Sequence, residues 1–433
     1  MGAKYDKCIT FRALRSSLTR CCRGVRWKPS VTKRESNALL QTSRLKKRLV
    51  KGTYKPAPMQ SITVTKPKPR DIRAARLQDR QVQKSITINA LYDDITSGYI
   101  RDSHACQRGK GTGDALDRMT THLDRYYRDQ HQKAERAAGA TIMPYRAKGW
   151  VGYIDIHDFF GSTSRAVAMQ AVAQREDDVE IIHQVEMELD SSGVKGTALG
   201  SEINQLVQNS VLDDLDHLIK EKARMRYYDR YMDDLIFIHE DKSYVQSVMK
   251  AACRHLRDMG LQINSKSRIY PLSQGIKYLH WLLIITDTGK VIRKVEKQKL
   301  RDERRLLAQL KKMVDSGSRS MDDVRSHYMA WRAGIELGNT RQQVRSMNLY
   351  YQSVFGEKAP MPKKPKKTIK PPGYTHRSRS GRKHRGGKQY GEDKACNHDQ
   401  GRGQAGACES HDPCTEPRSR SESAGSRSAG GQC

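Results

Sequence analysis

Apolar positions along this chain recur at two spacings, and the elements follow from where each spacing holds. Trp150 to Ile156 is a short apolar run that predicts a strand, as do Tyr227 to Tyr231 and Leu235 to His239, joined by a tight turn. Ser61 to Thr65 predicts an extended piece that ends in the Pro-broken segment Lys66-Pro67-Lys68-Pro69-Arg70. Helical spacing links Leu39, Leu40, Leu45 and Leu49, and then Val82, Ile86, Ala90 and Leu91. It predicts a helix over Gln205 to Ala223 with Leu212, Leu215, Leu218 and Ile219 on one face. A second amphipathic helix over Tyr244 to Met259 uses Val245, Val248, Met249, Ala252 and Leu256. Strands and helices alternate over 146 to 286, while 290 to 356 reads as all-helical, with dense Lys and Arg on its first helix. The elements therefore mix helix and sheet.

Composition narrows this picture. The chain has 433 residues with 36% hydrophobic content, low against the ~45–50% of ordinary domains, a figure that also counts Gly. Its strongest apolar run, Trp281 to Ile285, is far short of the ~20 residues that span a bilayer, so no membrane partner is expected. No apolar stretch follows the first Met as a secretory signal would. Nine scattered Cys suit a reducing, cytoplasmic compartment. The formal charge is +32, which calls for a polyanionic partner, most simply nucleic acid, against the plainer alternative of a solvated basic surface. Lys358 to Cys433 holds 17 Lys and Arg against 7 acids, is rich in Pro, Gly and Ser, and predicts a disordered basic tail. About +22 remains on the body, so the tail alone does not explain the charge.

The acids inside the basic body are the sharper signal. In Tyr228-Asp229-Arg230-Tyr231-Met232-Asp233-Asp234-Leu235 two adjacent carboxylates fall between two apolar strands. Asp is common in turns, so an acidic hairpin is the plain alternative. Adjacent acids repel, however, and a hard divalent cation relieves that repulsion. A third acid, Asp155, ends the strand in Tyr153-Ile154-Asp155-Ile156-His157-Asp158-Phe159-Phe160. Three such carboxylates suit two metal ions acting on phosphoryl transfer.

On these residues the chain resembles a bacterial reverse transcriptase. Tyr231-Met232-Asp233-Asp234 is similar to that family's Tyr-x-Asp-Asp box, and Asp155-Ile156-x-x-Phe159-Phe160 to its first palm motif. Leu199-Gly200-Ser201-Glu202-Ile203-Asn204-Gln205 with Leu212-Asp213-x-Leu215-Asp216-His217 resembles the second palm motif. Lys66-x-Lys68-x-Arg70-x-Ile72, Asp79-Arg80-x-Val82-Gln83 and Cys106-x-x-Gly109-Lys110-Gly111-Thr112 resemble the fingers of retron-like and diversity-generating enzymes. The likeness covers roughly 50 to 355. It implies an α+β right-hand polymerase: a basic extension over 1–60, fingers over 61–145, and an antiparallel-sheet palm over 146–289 with a finger insertion near 161–195. A helical thumb over 290–356 and the tail over 357–433 complete it.

The resemblance also implies roles. Asp155, Asp233 and Asp234 are the catalytic acids and hold two Mg²⁺ ions, with Mn²⁺ as an alternative and the Ile156 carbonyl as a further ligand. Lys68 and Arg70 clamp the triphosphate, and Asp158 lies along its path. Phe160, five residues after Asp155, is the steric gate against a ribose 2′-OH; core packing is the plain alternative for Phe159 or Phe160. Gly200 admits the incoming base pair, Gln205 faces the template, and Lys266 protonates pyrophosphate. Tyr231 and Met232 contact the nucleic acid. Lys294, Lys297 and Arg301, on a basic helix from Arg293 to Met313, track the duplex. Two segments depart from the pattern: Ser267-Arg268 stands where Lys-Thr is usual, and Tyr278-Leu279-His280-Trp281 where Phe-Leu-Gly is. The implied partners are an RNA template, a DNA or RNA primer and dNTPs, with a cognate structured RNA or an accessory protein as further options. The context is open between a diversity-generating element, a retron or defence system, an intron relative and a prophage gene. The alternatives are an inactive or maturase-like RNA-binding cofactor on the same scaffold, and an RNA-copying RNA polymerase, disfavoured by Phe160 and the missing Gly-Asp-Asp. In the tail, Cys396, His398, Cys408, His411 and Cys414 match no common zinc spacing, and an electrostatic RNA arm is the simpler expectation.

Overall fold

The computed structural model describes residues 2–65 and 69–361. Lys68 and the tail with its Cys and His residues lie outside the described residues.

The chain opens with four helices, α1 (Ala3–Cys8), α2 (Phe11–Cys22), α3 (Pro29–Ser36) and α4 (Ala38–Val50), followed by the antiparallel hairpin β1 (Gln60–Val64) and β2 (Arg70–Ala74). Next come α5 (Leu77–Ile86), a π-turn over Thr87–Leu91, α6 (Tyr92–Thr96) and the long α7 (Thr112–Ala138). Strand β3 (Trp150–Asp155) leads into α8 (Phe159–Ser162), α9 (Arg165–Ala173), α10 (Val179–Ser191), α11 (Glu202–Ser210) and α12 (Asp213–His217). A π-turn over Leu218–Lys222 precedes β4 (Tyr227–Tyr231), β5 (Asp234–His239), α13 (Lys242–Asp258) and β6 (Arg268–Pro271). The last elements are β7 (Ile276–Tyr278), β8 (Trp281–Ile285), β9 (Val291–Val295), α14 (Lys297–Asp315), α15 (Met321–Ile335) and α16 (Arg341–Phe355). The fold mixes helix and sheet, and no helix among the described residues is long and apolar enough to cross a membrane.

A four-stranded antiparallel sheet in the order β4-β5-β3-β6 sits at the centre. It is covered on both faces, which is why β5 reads as a continuous apolar run. Ile154, Leu235 and Phe237 face a core shared with Leu212 and Leu215 around α12 and with Val245, Val248 and Leu256 of α13. Val151, Ile236 and Ile238 face α7 and the β7-β8-β9 sheet, against Leu116, Leu123, Tyr278 and Leu283. Gly152 lies opposite Phe237, and a Cβ there would stand 2.2 Å from the Phe237 ring, so only glycine lets that ring cross β3. The N-terminal helices share a third core, where Tyr5, Leu14, Leu45 and Leu49 meet Val82, Ile86, Ile181 and Val185.

Three expectations are corrected. Leu39 and Leu40 are exposed; the buried stripe of α4 runs through Ala38, Thr42, Leu45 and Leu49, at i, i+4, i+7 and i+11. The single helix over Gln205–Ala223 is broken into α11, α12 and a π-turn. Asn209 of α11 and Asp216 of α12 both turn inward to a buried arginine. Residues 290 to 356 are not all-helical: Val291–Val295 is a strand paired with β8, so Lys294 stands on a strand opposite Leu282 and the boundary at 289 divides a sheet. The β-branched Val291, Ile292 and Val295 favour that outcome, and the Thr286–Lys290 turn closes the hairpin through a Thr286 N–H to Lys290 carbonyl bond of 2.9 Å.

Candidate active site

Pairing of β3 with β5 sets Asp155 directly opposite Asp234. Opposite residues of an antiparallel pair share a face, with Cα atoms about 4.5–5.5 Å apart. By the same alternation Tyr153 and Ile236 lie on that face, and the Tyr153 hydroxyl donates to Asp234 Oδ1 at 2.6 Å. Asp233 occupies the turn between β4 and β5, after Met232, whose φ of 54° is left-handed. The Ile156 N–H donates to the Asp233 carbonyl at 3.3 Å, tying the turn to the end of β3.

The segment after Leu261 closes the other side. Asn264 N–H donates to the Asp155 carbonyl at 2.6 Å, and His157 N–H to the Gln262 carbonyl at 2.8 Å. Ser267, one of the two departures from the family pattern, clamps the Asp155 backbone twice. Its Oγ accepts from the Asp155 N–H at 3.0 Å and donates to the Asp155 carbonyl at 3.2 Å. The neighbouring Lys266 ammonium stands 3.7 Å from Asp155 Oδ2, with most of its side chain in solvent.

Electrostatically the three acids make a negative site. Asp233 is pushed up to about 6, first by burial and then by the charges of Asp234 and Asp155, with Arg70 pulling the other way. Asp234 is raised by burial and by Asp155, and is opposed by the Tyr153 hydroxyl, Lys266 and His280. The hairpin residue Arg70 and Lys266 therefore both act on this centre. Among the described residues, no three or more His, Cys, Asp or Glu side chains are drawn together as a ready-made metal cage.

The remaining sequence candidates fall as follows. Asp158 is exposed, with a left-handed φ of 40°, at the head of α8. Phe159 is buried in the core beside the sheet, whereas Phe160 is half-buried, their rings edge-on at 6.1 Å. Gly200 has φ +113°, and a Cβ there would stand 2.5 Å from the Arg73 carbonyl, so β2 itself requires the glycine. Gly200, Gln205 and Tyr231 line one cleft. Lys294, Lys297 and Arg301 are exposed on β9 and α14, and no ion pair or hydrogen bond joins them to the acids among the described residues.

Sequence reasoning missed the support beneath the turn. Arg230 is fully buried. Its guanidinium grips Asp216 at 2.8 and 2.7 Å, donates to Asn209 Oδ1 at 2.9 Å, and donates to the Met232 carbonyl at 3.1 Å. Burial works against its charge, and Asp216 more than restores it. On the opposite face of β4, Asp229 accepts from the Tyr278 hydroxyl at 2.6 Å and lies 3.3 Å from His104 Nε2. The available signal was the pair Asp229-Arg230 inside an apolar strand, where charged side chains are rarely buried unless partnered.

No family model and no curated protein matches the chain. Solved structures similar to it include telomerase from Candida albicans in complex with a TWJ fragment of telomeric RNA, at 9% identity and a TM-score of 0.40, covering 60% of this chain and 52% of that one. Apo telomerase from Candida tropicalis is similar at 12% identity and a TM-score of 0.42, covering 73% and 64%. Its form truncated from the C-terminal domain gives 12%, 0.40, 57% and 59%. The chain thus spans about half to two-thirds of the length of these structures. A likeness this distant bears on neither ligand nor activity.

Proposed function

We propose that this chain is an RNA-directed DNA polymerase that adds dNTPs to a primer 3′-OH. The observation that carries the reading is the register that sets Asp155 against Asp234, with Asp233 in the adjoining turn. RNA as template rests on the sequence resemblance. In this reading β1–β2 and α5–α7 belong to the fingers, the β4-β5-β3-β6 sheet is the palm floor and α14–α16 form the thumb. The bacterial setting, diversity-generating or retron-like, is likewise a proposal from sequence.

The donor set fits hard divalent cations: carboxylate oxygens, with raised proton affinity from burial and from one another, beside the Ile156 backbone. Asp155, Asp233 and Asp234 would hold two Mg²⁺, which when bound activate the 3′-hydroxyl and neutralise the triphosphate and leaving pyrophosphate. The chain's own residues orient these parts. Tyr153 and Ser267 fix Asp234 and the Asp155 backbone, while Arg70 and Lys266 bring positive charge to where phosphates would lie. The test is extension of oligo(dT) on poly(rA) with dTTP and Mg²⁺. Metal-dependent product is expected; its absence from the wild type overturns the reading, and RNA binding without product would support the cofactor alternative.

Phe160 provides a further check. Phe159 fills a core position and Phe160 is half-buried, and in this reading it is the Phe160 ring that borders the sugar. Phe160→Ala is expected to raise rNTP incorporation relative to dNTP by about tenfold or more, the factor that 1.4 kcal/mol of discrimination carries. Competition between UTP and dTTP in the same extension reaction measures it, and an unchanged ratio removes the gate.

A further inference from the structure

The N-terminal helices precede the region that carries the polymerase resemblance, yet one of them reaches the same part of the molecule. Residues 1–60 hold 16 Lys and Arg against two acids. In α2 the face with Ser17, Leu18, Cys21 and Cys22 is buried. Arg20, near its end, and Arg23, just beyond it, are exposed and line a cleft of about 1010 Å³. That is the upper end of the ~300–1,000 Å³ of ligand pockets. The same cleft is lined by Gln205 of α11 and by Tyr231, two residues before Asp233, so it runs to the edge of the acidic centre.

The charges of the cleft are uneven. Its one lining carboxylate, Glu202, is engaged by Lys84. Arg108 pairs with Asp93 at 3.2 Å and stacks over the Tyr92 ring at 3.9 Å. Among the described residues Lys110 donates only to the backbone carbonyls of Arg101 and Ser103. Arg20 and Arg23 have no side-chain hydrogen bond or ion pair among the described residues. Thr87, also in the lining, is 3% exposed, and its hydroxyl has no partner among the described residues. A buried hydroxyl without a partner is costly unless a ligand supplies one.

Free cations, aromatic rings and an unpaired hydroxyl along one cleft are the features that hold single strands: phosphates track the charge and bases stack on the rings. A duplex is gripped instead across a wide, open minor groove. We propose that this cleft seats the single-stranded RNA template on its way to the acids, with Arg20 and Arg23 as phosphate contacts. The N-terminal unit is then part of the RNA site. The direction of the strand rests on the polymerase reading above; the binding itself does not.

Fluorescence polarisation of labelled oligo(rA), without dNTPs, across a KCl series tests this. The full chain is compared with Arg20→Gln plus Arg23→Gln, and with Lys250→Gln plus Arg254→Gln, an equal charge loss on the exposed face of α13. The first pair should flatten the slope of log K against log salt by about 1.4, roughly 0.7 per lost contact on a single strand. The α13 pair should leave the slope unchanged, and both should melt with the wild type. In extension assays the first pair should raise KM for a template with a long unpaired 5′ segment. Equal losses in both pairs, an unchanged slope, or tighter binding of oligo(dA) than oligo(rA) overturns the proposal. A chain that polymerises nothing but still binds oligo(rA) through Arg20 and Arg23 would sink the polymerase reading and keep the cleft.

Discussion

Replacing Asp233 with Asn is expected to abolish metal-dependent primer extension while making the metal-free protein more stable. The two effects share one cause. Asp233 is half-buried beside Asp234 and within reach of Asp155, and its acidity is weakened to about 6. The folded state therefore binds a proton more tightly than the unfolded chain, whose Asp titrates near ~3.9. The sign follows from linkage: the advantage is complete below about pH 4 and is lost as pH rises through 6. At ~1.4 kcal/mol per pKa unit the loss is about 3 kcal/mol at most. Asn carries no charge to desolvate, so the Asp233 share of the fall should vanish in the variant, leaving the pH dependence that Asp234 contributes through its own burial. Thermal melts in EDTA between pH 4 and 8 measure this, and Mg²⁺ should raise the wild-type melting temperature but not that of the variant. Asp155→Asn should remove extension equally, since Asp155 faces Asp234 across the strand pair. Wild-type extension rates in either variant would mean that the acids serve structure alone.

The sequence made some of this centre readable and hid the rest, for physical reasons. Strands β3, β4 and β5 were legible because short apolar runs flank the acids, and the Met232-Asp233 turn because charge interrupts them. Which acid faces which was not legible, because register arises from pairing between residues about eighty apart in the chain. Ser267 looked like a departure from a family pattern, and its value lies in two bonds to the Asp155 backbone that no local pattern encodes. Strand β9 is hard to see in the sequence because Arg293 and Lys294 continue a basic run into α14, masking three β-branched residues. Helix α7 gives a weak sequence signal because its buried face includes His122, Tyr126, Tyr127 and Gln130, which dilute the apolar stripe. Phe159 and Phe160 were interchangeable on paper, and only packing separates the core ring from the half-exposed one.

Arg230→Met is expected to cost about 3–5 kcal/mol of stability and most of the activity, and a second substitution separates the two losses. With the guanidinium gone, Asp216 keeps the Tyr228 hydroxyl as a partner at 2.5 Å but loses its counter-charge in a fully buried site. Breaking one half of a buried ion pair carries that penalty, whereas replacing both halves by apolar groups is often neutral. Arg230→Met with Asp216→Leu should therefore recover much of the melting temperature. Activity should not recover with it. Met232 is held at a left-handed φ of 54°, a conformation that costs a side-chain-bearing residue about 1–2 kcal/mol, and the Arg230 bond to its carbonyl helps to keep it there. Without that bond the turn carrying Asp233 can relax, and a shift of about 1 Å at reacting groups can cost on the order of a hundredfold. The double variant should bind oligo(rA) like the wild type, melt near it, and extend with a depressed kcat. Recovery of kcat in step with the melting temperature would show that Arg230 supports only the core, and that the turn holds its shape without it.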